Sequence, residues 1–308
     1  MTNTVPPEVF LLACSQANLV STRQLRAHGV SEQHVATRVR RRDWIRVTNG
    51  VYDLRCSPVE PHDHDHRRRR AAWIGLLSHP LAVAVGNCAL MLHGIEGLPR
   101  RIEPEIILPA GHTTGSAGVR VRQFRRPGNV VKFRGQWIAE PITALVQALP
   151  ELPRANALAV LDSALHREII TSTDLARIER LLTGRRGVRA LRPLLGLADG
   201  RAESPMESTA RLASIDAGLP RPLVQLRLHD ESGRLIARGD LGWAKRTSGY
   251  VLTEIDSREF HDTAEALFYD RARQNAIVLS GDHTPLRFLA RDVYDGTFVR
   301  DVRRALIR

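Results

Sequence analysis

Residues 234–256 read RLIARGDLGWAKRTSGYVLTEID. Two alternating runs flank a turn. In the first, Leu235, Ala237, Gly239, Leu241 and Trp243 share one face, and Arg234, Ile236, Arg238 and Asp240 share the other. Residues 245–249 supply the turn. In the second, Val251, Thr253 and Ile255 lie on one side, with Glu254 and Asp256 opposite, because strand side chains repeat every second residue. If the runs pair, Asp240 approaches Glu254 and Asp256. Three carboxylates in a small area repel one another unless a cation or an arginine neutralises them. Hard oxygen ligands suit Mg²⁺ or Mn²⁺, which activate water and stabilise a phosphoryl transition state. The other reading is an ion network with Arg238, Arg258 and Arg271.

Working outward, the order of residues is Glu203-Ser204-Pro205-Met206-Glu207-Ser208 opening a helix, Gly218-Leu219-Pro220, Gln225, Asp240, Glu254-Ile255-Asp256 and His261. Tyr269-Asp270-Arg271, Arg273-Gln274-Asn275 and Leu286-Arg287-Phe288 follow. This order resembles the PD-(D/E)XK nuclease superfamily, in particular its very-short-patch-repair-endonuclease-like branch. The resemblance implies a restriction-endonuclease-like α/β/α fold over residues 201–308. It implies Asp240 and Glu254 as metal ligands and Glu207 (or Glu203) as the helix acid. It also implies Asp256 at the last position of the E-x-K-type motif, and His261 as general base or phosphate contact. Arg271 and Arg287 would orient phosphate or neutralise the cluster. The superfamily lysine is absent after Glu254-Ile255, Ser257 stands where the branch usually has glycine, and Gly239 replaces an apolar residue and weakens the strand. Each acid also has a structural reading. Glu207 suits a capping box begun by Ser204, with Pro205 at the first helical position, and His261 suits the surface before a helix begun by Asp262 and Glu265.

At the other end, residues 8–17 carry Val9, Leu12 and Ala13 at helical spacing, with Phe10 and Leu11 widening the face. Ser21 and Gln24 predict a capping box, Gly29 a helix stop, and Ser31 the cap of a third helix through about Arg42. That helix sets Val35 and Val39 against His34, Arg38, Arg41 and Arg42. Trp44-Ile45-Arg46-Val47, the turn Thr48-Asn49-Gly50 and Val51-Tyr52 predict a hairpin. Three helices and a hairpin make a winged helix-turn-helix over residues 1–58, a module that puts its basic helix in the major groove. The candidate DNA contacts are Arg38, Arg40, Arg41, Arg42 and Arg46; the other reading is a solvated helix face. This segment resembles the N-terminal domain of AbiEi-type antitoxins of type IV toxin–antitoxin systems. That resemblance implies a DNA-binding regulator and a nucleotidyltransferase toxin encoded nearby.

Residues 59–70 read as a linker containing His62-Asp63-His64-Asp65-His66 and four arginines. Alternate histidines suit a transition metal, but the arginines repel one, and a solvated linker is the preferred reading. Residues 71–95 read as a helix, a break at Pro80, a short buried strand and a second helix. Strands follow near residues 106–109 and 119–122; residues 136–138 precede Pro141 and a helix through Ala148, and further helices cover residues 156–166 and 171–182. This order resembles the AbiEi-associated middle region, giving a middle domain over residues 71–200.

The 308 residues carry a net charge of +12, with 43% hydrophobic and 25% charged residues, a composition that excludes disordered and collagen-like chains. Net charge is +5 over residues 1–70, +6 over 71–200 and +1 over 201–308. The basic excess suits an anionic partner at the first two thirds. Three widely spaced cysteines without C-x-x-C argue against a disulfide framework and fit a reducing cytosol. The N-terminus lacks a signal-peptide pattern, and a membrane partner is not expected. The expectation is therefore an α/β multidomain, cytoplasmic, DNA-binding protein. Its C-terminal nuclease-like domain is either degenerate or an active Mg²⁺- or Mn²⁺-dependent endonuclease.

Overall fold

The computed structural model describes residues 5–60, 63–109, 117–124, 128–230, 232–256 and 282–307. Among them, helices alternate with strands in three separate sheets, a mixed α/β architecture. The chain divides into two compact units, Met1–Leu152 with Thr173–Arg189, and Pro153–Ser172 with Ala190–Arg308. The division separates the residues read as one middle domain, because residues 153–172 fold with the C-terminal part.

The first unit opens with α1 (Pro7–Ser15), β1 (Leu19–Ser21), α2 (Thr22–Ala27), α3 (Glu32–Arg40), β2 (Ile45–Thr48) and β3 (Val51–Asp53). The strands form an antiparallel sheet in the order β1-β3-β2. Ser21 Oγ accepts the Gln24 N–H at 3.2 Å while Gln24 Oε1 accepts the Ser21 N–H at 2.9 Å, so the capping box forms. Ser31 caps α3 by accepting the His34 N–H. Gly50 holds φ +70 in the hairpin turn, a left-handed conformation that suits glycine. Val9, Ala13, Leu25, Val35 and Trp44 pack into one core with Val20 and Leu54. Phe10 and Leu11 do not widen the buried face of α1: Leu11 is 72% exposed, because only Val9 and Ala13 turn fully inward.

The segment read as a linker is helical from its middle histidine onward: α4 spans His64–Leu77. Asp63 caps it by accepting the His66 N–H at 2.7 Å. Two of the four arginines are structural. Arg68 donates to the Leu98 and Pro99 carbonyls at 2.9 and 2.8 Å, and Arg70 pairs with Asp53 at 2.9 Å. After the break near Pro80 come β4 (Val83–Ala84), α5 (Gly86–Leu92), β5 (Glu105–Ile107), β6 (Arg120–Val121), β7 (Val130–Phe133), β8 (Gln136–Ala139) and α6 (Pro141–Ala148). Their sheet has the order β6-β5-β4-β8-β7. Buried Glu105 is matched by Arg122 at 2.6 Å.

The chain then forms α7 (Arg154–His166) in the second unit and α8 (Ser172–Leu182), nearly all of it in the first. It returns through α9 (Val188–Leu195). The second unit continues with α10 (Pro205–Asp216), β9 (Leu223–His229), β10 (Leu235–Ala244), β11 (Tyr250–Asp256), β12 (Thr284–Leu289), α11 (Ala290–Tyr294) and α12 (Thr297–Ile307). The sheet order is β12-β11-β10-β9, with β11 and β12 parallel and the other pairs antiparallel. One core joins Leu241, Trp243, Ile255 and Phe288 of the sheet to Ala210 of α10 and to Phe298 and Val302 of α12.

A buried ion pair fixes α10 against α7. Asp162 accepts from Ser208 Oγ and Arg211 Nη2, both at 2.6 Å, and from the Asp199 N–H at 2.8 Å. Arg211 also donates to the Leu197 carbonyl at 2.6 Å. Removing one partner of such a pair strands a buried charge. Asp162→Ala is therefore expected to destabilise the second unit by about 3–5 kcal/mol, read as a lower urea midpoint, whereas Asp162→Asn, which keeps the shape, costs less. Equal midpoints for Asp162→Ala and wild type would show that the pair holds nothing.

Candidate functional site

The site in the second unit is built where α10 begins and where β10 meets β11. Pairing of Leu241 with Thr253 sets the register of these strands and brings Asp240 beside Glu254. The Asp240 carboxylate accepts the Ile255 N–H at 2.7 Å. Burial, together with the negative charges of Glu207 and Glu254, pushes its carboxyl up to about 6, against the opposing effects of the Ile255 N–H and Arg238. Glu207, Asp240 and Glu254 therefore share one electrostatic neighbourhood, as the alternation anticipates for Asp240 and Glu254.

Each carboxylate is held by protein donors. Ser204 Oγ accepts the Glu207 N–H at 3.2 Å, which caps α10. Glu207 itself is buried, and its Oε2 accepts from the Glu203 N–H at 3.0 Å and from Gln225 Nε2 at 2.9 Å. The return bond thus reaches one residue beyond the cap. Glu254 accepts from Arg287 Nε at 2.9 Å, a cross-strand pair in the parallel ladder of β11 and β12. Arg238 pairs with Glu203 rather than with Asp240. Asp256 ends β11 opposite Leu289. His261 and Arg271, and with them Ser257 and Arg258, lie outside the described residues, as does His62.

Among the described residues, no three His, Cys, Asp or Glu side chains are grouped closely enough to hold a metal ion. Asp240 is raised by burial and by two other carboxylates, and Arg287 pairs with Glu254.

Gln225 is the site residue to which the sequence assigned no role. It adopts φ +55 within β9, an uncommon conformation for a non-glycine residue, and aims its amide at Glu207. Nothing in a strand-like run of residues marks that turn of the backbone.

In the first unit, the candidate basic residues separate into two groups. Arg38 is half-buried and engaged, donating to His34 Nε2 and to Asp43 Oδ2, each at 3.1 Å. Arg40, Arg41 and Arg42 are exposed, and among the described residues no hydrogen bond or ion pair engages their side chains. Arg46 is exposed on β2 and donates to Asn49 Oδ1 at 2.8 Å. Arg40 and Arg46 border a groove of about 570 Å³ between α3 and the hairpin, floored by Val35, Val39 and Tyr52. No helix among the described residues is long and apolar enough to cross a membrane.

The raised Asp240 carboxyl makes a signed prediction. Between its ordinary value of 3.8 and about 6, the folded chain binds the proton that the unfolded chain has released, so stability falls as pH rises through that window. The loss is expected to be about 1–2 kcal/mol after allowance for solvent screening. Asp240→Asn keeps an acceptor for Ile255 and is expected to remove this fall in denaturation curves at pH 4 and pH 7; an unchanged slope would place the raised group elsewhere.

No protein-family model matches the chain. It is 31% identical over 244 residues to the uncharacterized protein Rv2248 of Mycobacterium tuberculosis strain ATCC 25618 / H37Rv, covering 79% of this chain and 85% of that protein. The same values hold for the uncharacterized protein MT2308 of strain CDC 1551 / Oshkosh. With that identity sustained over most of both lengths, the chain belongs to the family of these mycobacterial proteins.

Proposed function

We propose that this chain is a DNA-binding regulator of the AbiEi-antitoxin kind whose C-terminal domain is a PD-(D/E)XK-like, very-short-patch-repair-endonuclease-like domain. The observation that carries the reading is the set of exposed, unengaged arginines Arg40, Arg41 and Arg42 at the end of α3. Cations left without a carboxylate suit the phosphate backbone, whose neutralisation releases counterions. The element order α1-β1-α2-α3-β2-β3 supports a winged helix, with α3 as the recognition helix and Arg46 on the wing. The basic excess over residues 1–200 supports an anionic partner there. A nucleotidyltransferase toxin encoded nearby completes this reading as an operon-level partner.

A second reading rests on a different observation, the neighbourhood of Glu207, Asp240 and Glu254. In it the chain is an endonuclease directed to DNA by the winged helix. Asp240 and Glu254 would hold Mg²⁺ or Mn²⁺, which would supply a polarised water and charge neutralisation at the phosphate. Glu207 would orient the site through Gln225, and Arg287 would leave Glu254 to meet phosphate. His261 and Arg271 would join from residues outside the description. The Arg287–Glu254 pair stands against this reading, because it already neutralises the second ligand.

Two experiments separate the readings. In gel-shift titrations on the chain's own upstream DNA, combined Arg40→Ala, Arg41→Ala and Arg42→Ala is expected to weaken binding at least about tenfold and to flatten the dependence of log affinity on log salt by about 2–3. A salt-insensitive complex, or full binding by the triple variant, would remove the winged-helix proposal. Incubation of plasmid with the wild type and Mn²⁺ or Mg²⁺ tests cleavage. Cutting that Glu254→Gln abolishes supports the nuclease; no cutting under either metal, or cutting that survives the substitution, sinks it and leaves the regulator standing.

A further inference from the structure

Cys14 and Cys56 come from different elements and meet at one place. Cys14 lies in the last turn of α1 and is exposed; Cys56 follows β3 and is half-buried. The two thiols are close enough for Cys14 to act on the Cys56 thiol. Both line a shallow groove of about 590 Å³, walled by Phe10, Leu11, Leu54 and Arg55. The exposed Phe10 and Leu11 of α1 thus flank an accessible sulfur.

The segment carrying Cys56 is held in place. Cys56 Sγ donates to Asn18 Oδ1 at 3.0 Å, and Ser57 Oγ donates to the same oxygen at 2.7 Å. Asn18 Nδ2 donates to the Ser57 carbonyl at 2.9 Å, and the Leu54 N–H donates to the Asn18 carbonyl at 2.9 Å. Buried Asn18 therefore ties residues 54–57 to the end of α1 and keeps the two sulfurs together. Burial and the neighbouring Cys14 push the Cys56 thiol up to about 12, so Cys56 stays protonated beside Cys14. The third cysteine, Cys88, is fully buried, donates to the Glu103 carbonyl at 3.2 Å, and has its thiol pushed up by desolvation.

We propose that Cys14 and Cys56 form an oxidation site for small hydroperoxides, with Cys14 as the reacting thiol and Cys56 as the resolving thiol. The Cys14 sulfur, as thiolate, attacks one peroxide oxygen. The O–O bond breaks, and the second oxygen leaves as water after taking the proton that Cys14 released. Cys14 becomes a sulfenic acid, and the peroxide is reduced by two electrons. The Cys56 sulfur then attacks the Cys14 sulfur, the S–O bond breaks, and the hydroxyl departs as water with the Cys56 proton. The sum is two thiols and hydrogen peroxide giving one disulfide and two waters. An external dithiol reverses it by exchange. The product staples α1 to the strap that leaves the hairpin, within the part of the chain that carries α3.

The test uses the full-length chain treated with hydrogen peroxide, then blocked with iodoacetamide and mapped by non-reducing mass spectrometry. The expected result is loss of two of the three thiols, a peptide linking Cys14 to Cys56 within one chain, and full recovery with dithiothreitol. Cys56→Ser is expected to stop at a sulfenic acid on Cys14 that dimedone traps, and Cys14→Ser to yield neither a disulfide nor a trapped Cys56. Circular dichroism establishes that both variants are folded. Alkylation of both Cys14 and Cys56 after peroxide would overturn the proposal, as would a cross-link between two chains, or Cys56 being trapped first.

Discussion

The register between β10 and β11 governs the second unit. Pairing Leu241 with Thr253 sends Leu241, Trp243 and Ile255 into the core with Phe288 and Phe298. A slip of one residue would turn these side chains to the other face, since strand side chains repeat every two residues. The same register forces Asp240 next to Glu254. Carboxylate crowding is thus not an independent feature that the fold could discard. It is the reverse side of the hydrophobic pairing that holds the sheet together, and the chain must neutralise it locally.

It does so with donors drawn from three directions. The Ile255 N–H serves Asp240, Gln225 and the Glu203 N–H serve Glu207, and Arg287 serves Glu254. These donors are not equivalent. Backbone and amide donors hold a carboxylate in place without cancelling its charge, whereas the Arg287 guanidinium cancels it. A cation at Asp240 and Glu254 would compete with Arg287 for Glu254. Regulator and nuclease therefore differ, in physical terms, by which positive group Glu254 prefers.

Much of this was legible in the sequence. The capping box of α2, the Asn49-Gly50 hairpin, the break near Pro80 and the two alternating strands each depend on local chemistry, and local chemistry is written in adjacent residues. What stayed hidden depended on tertiary partners. The arginine run at residues 67–70 has the composition of a linker, yet it is helical because Asp63 caps it and the Leu98, Pro99 and Asp53 oxygens receive Arg68 and Arg70. Phe10 and Leu11 look like core residues, but α1 presents only a narrow face to its neighbours. Residues 153–172 read as part of a middle domain. They join the second unit instead, where Asp162 finds Arg211, a pairing across 49 positions that no local pattern announces. Gln225 reaches Glu207 through a backbone conformation that strand periodicity does not encode.

The same distinction bears on the arginines. Their number is high in both units, so abundance alone identifies no surface. Their partners do. In the second unit, Arg201, Arg211, Arg238 and Arg287 each face a carboxylate. In the first, Arg68, Arg70 and Arg122 are likewise engaged. Arg40, Arg41 and Arg42 have no such partner among the described residues and stand in solvent at the end of α3. A guanidinium already matched by a carboxylate has little attraction left for a phosphate, because binding the second anion requires giving up the first. An unmatched one gives up only water. On the proposed reading, the electrostatic argument for DNA binding rests on unmatched arginines such as these rather than on the chain's +12 charge as a whole.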